Sequence, residues 1–199
     1  MNVSFDVTLV GPADLVDAWT AAFRGTPVSV QAGDILALAR GQALVSPANS
    51  FGWMSGGLDL AIAWAYGPAV DIGRRVQAAI QQDAAGELPV GQALVVPTPE
   101  GRFSHLVCAP TMRTPKPVET SLNAYLAFRA LLLAVTAWNA QRPSDPIRHV
   151  YCPGLGTGVG GIPPGRAARQ MRGAWDQVAE PGLLPSLERA ASDEARWRG

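Results

Sequence analysis

The feature that most limits the fold is a regular exchange of short apolar runs for helical stretches. Val3 to Val10 is rich in β-branched and aromatic residues and stops at Gly11-Pro12, the marks of a strand. Leu15 to Phe23 follows with helical spacing, Asp14 near its start and Gly25 past its end. Further strands are expected at Val28 to Val30, Ala43 to Val45, Ala93 to Val96, His105 to Ala109 and His149 to Cys152. Helices are expected at Leu58 to Ala65, Val70 to Gln81, Ser121 to Ala140 and Pro164 to Ala179. Strands that alternate with helices pair in parallel and carry helices on both faces, so a single three-layer α/β/α domain over residues 1–199 is expected. The tail after about Pro181, Trp197 included, has no place in that pattern.

Composition excludes several classes. Sixteen basic residues balance 16 acidic ones, so no global field draws in nucleic acid or an anionic membrane. Cys108 and Cys152 lie alone at the ends of apolar runs and read as packed thiols, forming neither a zinc set nor a secreted disulfide framework. The N-terminal residues lack a basic stretch followed by an apolar one, and Leu122 to Trp138 is too short and carries Arg129. Cytoplasmic residence without a membrane segment, a metal or a cofactor is the expectation. His105 and His149 fall in or beside strands and read as structural.

In open α/β sheets, ligands sit beyond the carboxyl ends of the strands. Three loops fall there: 46–58, 110–119 and 153–163. The last carries glycine at 154, 156, 158, 160 and 161, then Pro163-Pro164 at a helix start. Free N–H groups at a helix start bind anions, and glycines let backbone approach a phosphate, at about 0.5–1 kcal/mol each relative to Ala. A P-loop would need a Lys, which this stretch lacks. Gly156, Gly158 and Gly161 match GxGxxG as a string, but the second strand and acidic residue of a dinucleotide fold do not follow. In the first loop, Asn49 can donate and accept toward sugar hydroxyls, and Asp59 can orient or deprotonate a water. The same residues also suit a turn and a helix N-cap, and local chemistry leaves that choice open.

Gly33-Asp34-Ile35, then "VSPANS…GGLD" and "GLGTGVGGIP", resemble the three ordered motifs of macrodomains, ADP-ribose-binding modules with a mixed, mostly parallel central sheet. Asn49 and Asp59 keep the ten-residue spacing of the hydrolytic branch. The resemblance implies that Asp34 accepts from the adenine amino group, with Ile35 as a neighbouring backbone contact. It implies that Gly156, Thr157, Gly158, Val159, Gly160, Gly161 and Ile162 wrap the diphosphate. Asn49, assigned with Asp59 to catalysis, would bind the hydroxyls of the distal ribose, Ser50, Gly56 and Gly57 would let the first loop close on it, and Asp59 would hold the attacking water. Removal of mono-ADP-ribose from acidic side chains of a modified protein, and of small ADP-ribose esters, follows as the implied activity. A non-catalytic ADP-ribose reader and a phosphatase acting on ADP-ribose 1″-phosphate are the alternatives.

Three departures from the family pattern stand out: Ser46 replaces the first Asn of NAAN, Met54-Ser55 interrupt the glycine run, and Gly160 replaces an aromatic. Phe51 or Trp53 is expected to stand in for that ring. Thr111 and Arg113 are expected at the substrate mouth, with Lys116 nearby, if the middle loop is more than a solvated connection.

Overall fold

The structure is a computed structural model that describes residues 3–39, 42–67, 70–98, 101–180, 182 and 184–199. Six strands form one sheet: β1 (Asp6–Gly11), β2 (Ser29–Ala32), β3 (Ala43–Ser46), β4 (Leu94–Pro97), β5 (His105–Cys108) and β6 (His149–Cys152), in the order β2-β1-β6-β3-β5-β4. All neighbours are parallel except β4, which runs antiparallel to β5. The exception has a local cause. Only residues 98–104 link β4 to β5, too short for the crossover that parallel pairing needs.

Helices α1 (Ala13–Ala22), α5 (Asn123–Gln141) and α6 (Pro164–Ala179) cover one face. Helices α2 (Ile35–Leu38), α3 (Gly57–Tyr66) and α4 (Ile72–Asp83) cover the other. Alternation along the strands builds both cores. Val7 and Leu9 of β1 pack with Trp19 and Phe128, while Val10 joins the core of Ile62 and Val76. Leu106 and Cys108 of β5 face α3 and α4, and Val107 faces α5 and α6.

The tail finds a place. Helix α7 (Leu187–Arg198) packs on α6, and Trp197 stacks on Tyr125 of α5 with ring centroids 4.4 Å apart. Gly173 makes the room: a Cβ there would lie 2.4 Å from the Trp197 ring. The proposed tail boundary at Pro181 lies outside the described residues. Among the described residues no helix is long and apolar enough to cross a membrane.

Both histidines lie at the amino ends of their strands, opposite the three loops. His105 meets Ser104 and Asp145 with its two ring nitrogens, and His149 meets Thr8 at 2.8 Å. Cys108 and Cys152 are buried, and burial pushes both thiols far above their ordinary pKa.

Candidate functional site at the carboxyl edge of the sheet

β3, β5 and β6 end at the same edge, and backbone bonds tie the loops that leave them. Ser50 N–H donates to the Met112 and Arg113 carbonyls, both at 3.1 Å, and Thr111 N–H donates to Ala48 O at 3.0 Å. Val118 N–H donates to Gly160 O at 2.8 Å, which joins the middle loop to the glycine loop. The first and glycine loops leave the adjacent strands β3 and β6.

The glycine loop closes on itself. Ile162 N–H donates to Gly156 O at 2.9 Å and Gly161 N–H to Gly158 O at 3.0 Å, with Gly156 and Gly161 both at positive φ. The N–H groups of residues 157–160 donate to no described residue, which leaves these donors unmatched among the described residues. Helix α6 starts directly after it, with Pro164 in its first turn and no side-chain cap. Free amides beside a helix start favour an anion. Gly158 and Val159 are exposed at the tip.

Gly160 is the departure whose reason becomes visible. A Cβ at this position would lie 2.5 Å from Gly156 O and 2.9 Å from Val118 Cγ2, so no aromatic fits this loop path. Gly160→Tyr is expected to destabilise the fold by about 1–3 kcal/mol or force the loop apart, read as a lower denaturation midpoint.

Asp59 lies in the first turn of α3, but it does not cap the helix. Gly56 holds the cap position, and the Asp59 carboxylate instead accepts from Ser46 Oγ at 2.6 Å. The residue is only 8% exposed. Burial raises its pKa from 3.8 to about 6, and the Ser46 hydroxyl pulls the other way. An acid on the first turn also suits the positive end of the helix dipole. Gly56 and Gly57 have open space around them, and Gly57 takes φ +56° at the turn into the helix.

Other assignments change. Asn49, expected on the ribose, is engaged within its own loop: Oδ1 accepts from Phe51 N–H (3.1 Å) and Trp53 N–H (3.3 Å), and Nδ2 donates to Trp53 O (3.0 Å). Thr111, expected at the mouth, is buried, with its hydroxyl on Pro47 O at 2.9 Å, and acts as a strut between loops. Arg113 is exposed but committed, gripping Glu87 with two N–H groups at 2.8 and 3.0 Å while lying 5.0 Å over the Phe51 ring. Phe51 in turn stacks on Trp53 at 4.9 Å. Trp53 lines an open cleft of about 1060 Å³ walled by residues 52–55, α3 and the start of α4. Asp34 caps α2 through Leu36 N–H at 2.9 Å on an otherwise exposed side chain, and Ile35 is buried. Ser50 Oγ is buried and has no hydrogen-bond partner among the described residues. Sequence reasoning missed Glu87, which carries no motif, and treated Ser46 only as a departure.

An α/β/α domain with an anion-ready glycine loop, a buried acid and an acid-capped turn at one sheet edge defines a small-ligand module of the macrodomain type. The Macro domain family sequence pattern matches residues 45–171, and the chain belongs to that family. A protein of Aquifex aeolicus (strain VF5), itself described as uncharacterized, is 33% identical over 130 residues, covering 64% of this chain and 68% of its own. The macrodomain of Mycobacterium tuberculosis DarG superposes with a TM-score of 0.59 at 23% identity, over 75% of this chain and 90% of that one. Thermosipho africanus DarTG in complex with ADP-ribose superposes with a TM-score of 0.54 at 16% identity, over 92% of this chain and 54% of that one.

Proposed function

We propose that this macrodomain binds ADP-ribose along the carboxyl edge and hydrolyses mono-ADP-ribose from acidic side chains of proteins. Family membership and the ADP-ribose complex of the DarTG neighbour support the ligand. In this reading the free amides of 157–160 hold the diphosphate, Asp34 accepts from the adenine amino group, and Ile35 supplies backbone beside it. Asn49 shapes the first loop, and it reaches the distal ribose only by exchanging the Trp53 carbonyl for a hydroxyl.

The observation that carries the hydrolytic reading is the Asp59 carboxyl, buried at the edge and titrating near 6. An acid held there is poised as a base close to neutral pH. A water attacks the anomeric carbon of the distal ribose, and its proton passes to Asp59. The bond from that carbon to the ester oxygen breaks, and the modified Glu or Asp leaves as a carboxylate. The anionic leaving group needs no acid, which fits a site with a single placed carboxyl.

The sign of the pH dependence follows. Asp59 must be ionised to take the proton, so turnover is expected to rise with pH through about 6 and level off above 7. At pH 5 release of ADP-ribose from a Glu- or Asp-modified protein should be roughly a tenth of the plateau. A rate that is flat from pH 5 to 8 would remove Asp59 as the base. Binding of ADP-ribose without any release would leave a reader, and phosphate release from ADP-ribose 1″-phosphate would indicate the phosphatase.

A further inference from the structure

The Ser46–Asp59 pair has a geometry that the ligand roles above do not use. Ser46 is the last residue of β3 and is fully buried, facing α3 across the end of the sheet. Its hydroxyl donates to Asp59 Oδ1 at 2.6 Å, and no other described residue donates to that carboxylate. Oδ2 has no protein partner among the described residues, yet it is not one of the sealed, unsatisfied atoms of the interior. The two oxygens are therefore unequal: one is anchored, and the other has no hydrogen-bond partner among the described residues.

We propose that Ser46 is a positioning residue for the hydrolysis, its hydroxyl fixing Oδ1 so that Oδ2 is the oxygen that holds the attacking water. The proposal rests on the hydrolytic reading above. A short O–H···O⁻ bond is among the strong ones, and its direction sets the plane of a carboxylate that is otherwise free to rotate about its Cβ–Cγ bond. It also favours the ionised form over the protonated one. Among the described residues the Cys108 thiol is a titratable group beside the pair, matched with Ser46 in the β3–β5 register. Burial, and to a lesser degree the Asp59 charge, keeps that thiol protonated throughout the working range, so it adds no charge of its own. Among the described residues Ser46 is thus the one that hydrogen-bonds the Asp59 carboxylate. The replacement of Asn by Ser in the first motif acquires a reason: a short hydroxyl donates to a carboxylate pressed close against the strand end.

Ser46→Ala tests this with two readouts. The Asp59 carboxyl, followed by ¹³C NMR without substrate, is expected to titrate about one pH unit higher, the worth of one charge-assisted hydrogen bond. Turnover should then fall about fivefold at pH 6, with the deficit shrinking toward pH 8.5 and KM nearly unchanged. Ser46→Thr, which keeps the hydroxyl, should restore both. If the Ala variant does not fold, Ser46→Cys retains the bulk with a weak donor and is expected to move the titration the same way. An unmoved titration, or turnover at pH 6 equal to that of wild type, would overturn the role of Ser46. A moved titration in a protein whose wild type releases no ADP-ribose would instead count against the hydrolytic reading.

Discussion

Replacing Gly158 with glutamate is expected to abolish ADP-ribose binding and leave the fold in place. Nothing lies within 4 Å of a Cβ built at Gly158, and its φ is not in the left-handed region, so the larger residue enters without strain. Stability should change by no more than about 0.5 kcal/mol, as for other exposed positions free of special geometry. Binding is a different matter. The new carboxylate stands among the free amides of 157–160, where the diphosphate is proposed to sit, and like charges about 4 Å apart repel by several kcal/mol at a protein surface. Affinity measured by calorimetry should fall at least about a hundredfold. Unchanged affinity with an unchanged melting curve would take the diphosphate away from this loop.

Asp59→Asn should separate catalysis from binding and from stability. The amide keeps the shape and can still accept from Ser46, so ADP-ribose affinity should hold within a few fold. Turnover should drop about 10²- to 10⁴-fold, the usual contribution of a placed base. Stability should move the other way. The folded pKa of Asp59, about 6, lies above its ordinary 3.8, so the fold favours the protonated form. That preference is fully present below pH 3.8 and is lost as pH rises through 6. At pH 7 the buried charge therefore opposes folding, by up to about 3 kcal/mol. The Asn variant should accordingly denature later than wild type at pH 7 and show little advantage near pH 4. A variant that is inactive and also less stable at pH 7 would mark Asp59 as a structural acid.

The architecture was largely legible because its signals are local. The exchange of strand and helix patterns gave the layers, and Pro163-Pro164 with the apolar periodicity behind them gave α6 its bounds. Helix α2 escaped because four residues make a single turn. Helix α7 escaped because its surface is almost wholly polar, laced by pairs such as Arg189–Asp193 and Arg198–Glu194, and its one large anchor docks onto helices instead of the sheet. In the site, residue type and spacing picked out the glycine loop and Asp59. The actual partners of Thr111, Arg113 and Asn49 were not legible. Arg113 meets an acid 26 residues back and Thr111 a carbonyl 64 residues back, and such pairings exist only once the chain has folded. Asn49 illustrates the reverse difficulty: its partners are close in sequence, but a loop staple and a sugar ligand call for the same amide.

The docking of Trp197 bears on how the protein can be shortened. The family match stops at residue 171, inside α6, and a fragment ended there would strip the second half of α6 from the sheet and remove α7, which packs on α6. Ending after α6 is subtler: Gly173 would face solvent, Tyr125 would lose its stacking ring, and Gln170 would lose the Trp197 carbonyl. Arg198 also grips Thr120 O, two residues beyond the Val118 amide that holds Gly160. A fragment boundary drawn from the family pattern would thus loosen the segment that braces the glycine loop, and crystallisation or binding work on this protein should carry the chain through Arg198.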